Sequence, residues 1–386
     1  KAAKMLAWTT AEDKYNVTVE VIPYPEDAGW GPQRIAHINQ QSAVGQPSAD
    51  FYIIDSAWIP QLVEGGSVHD VTDHYAMFGQ AHMDPGYRQA STYQGRLYGM
   101  SNGAAGIIHG LFYNYNLLTE LELPSPAQLF VDGEWTYSKF VEYATAAQAL
   151  LPEGGYALAG EAALYWAGMV NAGGIKLADT DNMAINFTTP TGFDAAQALT
   201  QIAQAGAFDP AGLWDAQNVS FRSGLSLFNP GEIWYRNVAG WWLDIWGPGD
   251  ESQFGYVPYP MPDNGSLESY RLGFPGEAVY VMAENLPLPT GVTNAGVYRV
   301  LADIFMATRL NQQAEPDYDQ EETRRTGFMR LVDDPASVEA MLAIQPANIF
   351  FDPLKSIQPH YAAEGLGPAL RTIVHQGADF NETLTQ

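Results

Sequence analysis

The chain has 386 residues, 46% of them hydrophobic, with 44 acidic against 18 basic residues and a formal net charge of -26. That length exceeds the size at which one hydrophobic core usually keeps growing, so two domains or lobes are expected. The charge repels phosphate backbones and anionic lipid and leaves no basic patch, which argues against nucleic acid as a partner. No apolar run reaches the roughly 18 to 20 residues of a membrane span.

Charged residues total 16%, against about 25% in ordinary soluble domains, so the acidity comes from scarce Lys and Arg rather than abundant Asp and Glu. Without cysteine there is no disulfide, thiol nucleophile or thiolate metal site. Asn-x-Ser/Thr sequons at Asn16, Asn186, Asn218, Asn264 and Asn381 exceed the roughly one or two that residue frequencies give, which fits an exported, glycosylated chain.

The opening KAAKMLAWTTAEDKY reads as a helix, not the strand with which α/β domains often begin, and shows no signal-peptide pattern, pointing to a segment ahead of Lys1. NVTVEVIPYP alternates apolar and polar residues and predicts a strand from Asn16 that ends at Pro23 and Pro25. A helix in GPQRIAHINQQSA and a strand at Phe51 to Ile54 complete a βαβ unit. The apolar run FYII suits a strand covered on both faces in a parallel sheet. WIPQLVEGG predicts a short helix capped by Ser56 and ended by Gly65 and Gly66.

RLYGMSNGAAGIIHGLFYN carries four glycines between two apolar runs and reads as strand, crossing and strand. WTYSKFVEYATAAQALL and FDAAQALTQIAQAG are amphipathic helices. FGYVPYPMP predicts a strand and a return crossing, GEAVYVMAE a further strand, and VYRVLADIFMATRL a helix. Beyond Asn311, breaks at DDP, FDP and GLGP separate shorter helices.

No phosphate loop, dinucleotide fingerprint, serine-hydrolase elbow or zincin motif is present, so neither a cofactor nor a catalytic set is expected. HDVTDH, with His82 and Asp84, gathers imidazoles and carboxylates without any ligand spacing and reads as a solvated loop rather than a metal site. DTDN at Asp179 to Asn182 has Met183 and Ala184 where a calcium loop needs a ligand and a glycine, so it reads as a turn. Asp55, Asp244 and Glu277 are candidate carboxylates for glycoside chemistry, which requires a pair roughly 5 to 10 Å apart. The stronger signal is aromatic: 10 Trp and 21 Tyr, with Trp30, Trp58, Trp166, Trp234, Trp241 and Trp242 in polar or Gly/Pro-rich surroundings. A tryptophan beside carboxylates suits a sugar, whose C–H face stacks while its hydroxyls hydrogen-bond.

From about Asn16 to about Thr308 the chain resembles the extracellular solute-binding proteins of family 1, the sugar-capturing components of ABC importers, similar in fold to maltose-binding protein. ADFYIIDSAWIPQLVEGGSVHDVTDH resembles the family's strand and following helix, and YQGRLYGMSNGAAGIIHGLFYNYNLL its Tyr-x-Gly-x-x-Tyr-Gly turn, first hinge strand and Tyr-Asn-x-x-Leu start of the second lobe. EWTYSKFVEYATAAQAL is similar to the Trp-Thr-x-x-x-Phe helix that comes next. FRSGLSLFNPGEIWYRN is similar to the Phe-x-x-Gly-x-x-x-Met block, with Phe228 at the Met position. The family's first strand has no counterpart here, nor have any site residues its loop would carry.

The resemblance implies an α/β, two-lobed periplasmic-binding-protein-like fold (type II), with hinge-linked lobes and a ligand cleft. The expected first lobe is 1–106 plus 258–311 and the second 107–257 plus 312–386, with crossings near 100–108 and 254–260. The implied ligand-binding residues are Asp55 and Trp58, Trp166 and Trp234, and Gly276 with Glu277; Asn102, Trp30 and Trp241 complete the set. The implied role is non-catalytic capture of a carbohydrate by a monomer on the cell surface or in the periplasm, anchored through a segment before Lys1, for delivery to ABC-transporter membrane subunits. A peptide or polyamine ligand, a glycan-active enzyme and a surface or assembly protein are the alternatives.

Overall fold

The computed structural model describes residues 2–79, 83–179, 182–211, 218–238, 241–243, 245–246, 252–315, 318–357 and 364–385. The chain divides into two compact units, Lys1–Ala105 with Pro275–Asp319, and Gly106–Phe274 with Gln320–Gln386.

In the first unit, the strand Phe51–Asp55 pairs antiparallel with Ala278–Met282, which pairs antiparallel with Gly99–Met100. The opening helix Ala2–Tyr15 buries Ala3, Ala7 and Ala11. That four-residue spacing puts small side chains on one face, where the long helix Asn294–Gln313 packs closely. Lys14 and Tyr15 both donate to Asp303 of the long helix.

The expected strand at NVTVEV does not form. Asn16 turns the chain at φ 51°, Val19 N–H donates to Glu12 Oε1 at 2.8 Å, and Val21 and Ile22 are exposed. Alternation prepares a segment for a pleat, but a strand exists only where a neighbour completes its ladder, and no described residue does so here. The βαβ unit is therefore incomplete and the sheet antiparallel, not parallel. FYII is covered on one face only: Tyr52 and Ile54 are buried while Ile53 is exposed.

In the second unit, His109–Asn114 is the central strand between Phe228–Glu232 and Phe254–Val257, both antiparallel to it. Leu111, Phe112 and Tyr113 are fully buried in it. At Gly255 an added Cβ would fall 1.9 Å from the Tyr113 ring, so the glycine makes room for a cross-strand aromatic. Helices Tyr137–Gln148 and Pro190–Gln204, capped by Thr136 and Thr189, cover this core. The tail helix Pro335–Ala343 starts at the buried Asp334, which accepts hydrogen bonds from Tyr113 and Ser125 as well as from Ala336 N–H.

The return crossing expected near 254–260 lies further on, because Phe254–Val257 is hydrogen-bonded along His109–Asn114; the units divide at Phe274 and Pro275, and again at Asp319 and Gln320. The HDVTDH segment is not a loop throughout, since Thr72–Phe78 is helical. Asp70 pairs with Arg96, and His69 Nδ1 lies 2.8 Å from Glu284. No group of three metal-ligating side chains occurs among the described residues; His82 lies outside them. Asp179 and Asn182 close a turn, with Thr180 and Asp181 outside the described residues. Of the sequon asparagines, Asn218 is fully buried and caps a helix through Phe221 N–H, which removes it as a glycan acceptor.

Burial lowers the pKa of three imidazoles. His109, stacked on Tyr259 with its Nδ1 2.6 Å from that hydroxyl, is pushed down to about 3 by burial and, secondarily, by Lys355. Burial also lowers His74 and His375. An unfolded histidine binds a proton near 6.5, so the unfolded chain gains protons as pH falls below that value while the folded chain refuses them. Stability is full above pH 6.5 and is lost on acidification, by about 3 kcal/mol at pH 4.5 from His109 alone. Urea midpoints are expected to drop between pH 7 and 4.5, and His109→Gln to flatten that slope; an equally steep slope in the variant contradicts the assignment.

Candidate functional site

Asp55 ends its strand and begins a tight turn. Its carboxylate accepts Ala57 N–H at 3.0 Å and caps the short 3₁₀ turn Ser56–Trp58 that leads into the helix Ile59–Glu64. The cap is thus Asp55, not Ser56. The same turn decides where Trp58 goes: its ring is 6% exposed and lies against Trp30, centroids 4.7 Å apart. Trp30 is 55% exposed. Of the two tryptophans, Trp30 is the displayed one and Trp58 its support.

The strand register sets Asp55 opposite Ala278, and Ser56 N–H donates to the Glu277 carbonyl at 3.1 Å. Gly276 stands at φ +92°, and a Cβ there would fall 2.1 Å from Ser56 Oγ. A glycine is required on both counts. The Ser56 hydroxyl is buried without a hydrogen-bond partner among the described residues. Tyr87 is buried nearby; burial first, and then the Glu277 carboxylate, raise its hydroxyl pKa. The Ser101 hydroxyl accepts Gly103 N–H at 3.0 Å, and Asn102 between them is exposed. Asp55, Trp58, Trp30, Gly276 and Glu277 therefore gather around one strand end in the first unit.

A second aromatic group stands in the second unit, where Phe228–Glu232 passes into the 3₁₀ turn Ile233–Asn237. Trp234 is 39% exposed and donates its Nε1–H to the Glu232 carboxylate. Its ring lies 4.7 Å from Trp241 and 4.6 Å from the buried Tyr235, edge-on to the latter. This makes an indole platform fixed from below and oriented by a carboxylate. Trp166 does not belong with them. It is fully buried, its Nε1–H donates to Gly192 O at 2.8 Å, and Phe187 and Phe380 flank it, so it is a core residue.

The family model for bacterial extracellular solute-binding proteins matches residues 7–295. The chain belongs to this family. As a solute-binding protein of this kind it is extracytoplasmic, and no helix among its described residues is long and apolar enough to cross a membrane. No curated protein matches it by sequence. Among solved structures it is similar to UgpB from Mycobacterium tuberculosis in complex with glycerophosphocholine, at 18% identity and TM-score 0.63, covering 100% of this chain and 92% of that one. A cyclo/maltodextrin-binding protein complexed with maltotetraose matches at 16% identity and TM-score 0.65, covering 100% and 91%. The sugar-binding protein MalE from Xanthomonas citri matches at 15% identity and TM-score 0.61, covering 100% and 91%. These likenesses show the fold, the two-lobed type II periplasmic-binding-protein fold.

In this solute-binding protein the sequence pattern did not single out Tyr87, Glu232 and Tyr235 beside the named residues. Glu232 had a readable signal, an acid two positions before an exposed indole. Tyr87 had none, because only the folded chain brings it near Glu277. Asp244 lies outside the described residues.

Gly276→Ala is expected to lower unfolding free energy by about 1–3 kcal/mol through backbone strain and the clash with Ser56. Ser56→Ala alone should be neutral or stabilising, since it removes a buried hydroxyl without a partner. Urea denaturation of both variants checks this; a neutral Gly276→Ala contradicts the packing described.

Proposed function

We propose that this protein captures a mono- or oligosaccharide outside the cytoplasm and hands it to the membrane subunits of an ABC importer, acting as a monomer and catalysing no reaction. The observation that carries this reading is a pair of displayed indoles, Trp30 on Trp58 and Trp234 on Tyr235 and Trp241, the second held at its Nε1–H by the Glu232 carboxylate. An indole face takes up the C–H face of a pyranose, and Glu232 and Glu277 supply acceptors for its hydroxyls. Asp55 acts at one remove: as a cap it fixes the turn that seats Trp58, and Trp58 in turn supports Trp30.

The fold neighbours lend support. Their ligands include maltotetraose, acarbose and cycloalternan, although UgpB holds glycerophosphocholine. A glycan-active enzyme needs two carboxylates poised across one bond. Holding Ala57 N–H ties Asp55 to the backbone instead, which favours binding over acid–base catalysis.

Tryptophan fluorescence and calorimetry across a panel of mono- and oligosaccharides test the reading. At least one saccharide is expected to bind, with Trp30→Ala and Trp234→Ala each weakening it tenfold or more, about 1.4 kcal/mol. Trp166→Phe should cost stability and leave affinity within about twofold. Absence of binding by every saccharide, or wild-type affinity in both alanine variants, sinks it.

A further inference from the structure

Beside the Trp30–Trp58 pair lies an arginine that the carbohydrate reading does not use. Arg34, in the helix Pro32–Ala43, places its guanidinium 3.9 Å from the Tyr24 ring centroid and 4.9 Å from that of Trp30. Both rings stand in the segment 17–31 that leads into that helix. Tyr24 is itself fixed, its hydroxyl donating to Ile53 O at 3.1 Å and its ring stacking on Tyr52. Arg34 Nε donates to Ala28 O at 3.3 Å, and Nη1 and Nη2 have no hydrogen-bond partner among the described residues. No carboxylate among them pairs with it either, although Lys14, Arg96, Lys139, Arg325 and Arg371 each pair with one. What holds this cation is the pair of aromatic rings.

We propose that Arg34 is the anchor for an oxyanion on the ligand, so that the preferred substrate is an acidic carbohydrate carrying a carboxylate or a phosphoryl group. This rests on the reading of Trp30 as a sugar platform. A guanidinium whose plane is fixed by aromatic rings keeps its orientation at little entropic cost, and its Nη edge matches two oxygens of one oxyanion. Arg34 and Trp58 both contact the half-exposed Trp30, so a sugar held against the exposed part of that indole brings an acidic substituent within reach of Arg34. Lysine has the charge without the planar fork and is a poor replacement.

Calorimetry on the full chain with matched pairs tests this: glucose with glucuronate, galactose with galacturonate, and glucose with glucose 6-phosphate. At least one acidic member is expected to bind tenfold or more tighter than its neutral partner, and whether uronates or the phosphate ester lead tells carboxylate from phosphoryl. Arg34→Gln, which keeps much of the stem, removes that advantage and leaves neutral sugars within twofold; Arg34→Lys restores only part of it. Thermal unfolding of both variants establishes that they fold. Acidic members no tighter than neutral ones in every pair, or an advantage that survives Arg34→Gln, overturn the oxyanion anchor and leave sugar capture standing. Inorganic phosphate or acetate binding through Arg34 while no sugar binds supports the anchor and overturns the sugar. Binding of none of these overturns both.

Discussion

The antiparallel pairing of Phe51–Asp55 with Ala278–Met282 is the constraint on which the rest of the first unit depends. It joins segments separated by most of the chain, so the whole of Gly106–Phe274 is in effect an insertion between two strands of one sheet. Closing so long a loop costs little more entropy than closing a moderate one, because the cost grows only logarithmically with length. The register then does the chemistry's positioning. With Asp55 opposite Ala278, Glu277 O receives Ser56 N–H, Gly276 is pressed against the Ser56 side chain, and the turn that seats Trp58 starts where the returning strand begins.

The tryptophans divide by what their N–H groups and faces are doing. Trp135 and Trp166 are buried whole and donate to carbonyls of Pro258 and Gly192, which commits them to the core of the second unit. Trp242 packs where Gly231 leaves room, an added Cβ there falling 2.3 Å from its ring. Trp30 and Trp234 are different in kind, because each offers a face to solvent while a second aromatic fixes it from behind. Rigid, half-covered indoles lose little on taking up a ligand, and exposure of such area in two places is hard to explain by packing.

Much of this was legible in the sequence where the cause is local. Thr136 and Thr189 announce their helices as caps, the strand at Phe51 is a β-rich apolar run, and Gly206 ends its helix at φ +72°. What local pattern does not carry is partnership. NVTVEV has a strand's alternation and no ladder, and FYII looks two-sided while pairing antiparallel with one face open. FGYV reads as a crossing because nothing in it says that it binds along His109–Asn114. The site suffered in the same way. Trp58 and Trp166 carry the same polar and glycine-rich context as Trp234, yet one is turned inward by a 3₁₀ turn and the other by helix packing. Arg34 was invisible because its distinction is the pair of rings that hold it, which only the folded arrangement brings together.

The proposed capture engages displayed indoles and leaves the core indoles alone. Selective ¹⁵N labelling of tryptophan resolves the indole N–H resonances of the 10 tryptophans, which single substitutions assign. Titration with a bound saccharide is expected to shift the Trp30 and Trp234 resonances, with Trp241 following, while those of Trp135, Trp166 and Trp242 stay in place. A saccharide that binds and moves only the buried indoles, or moves none, contradicts the account.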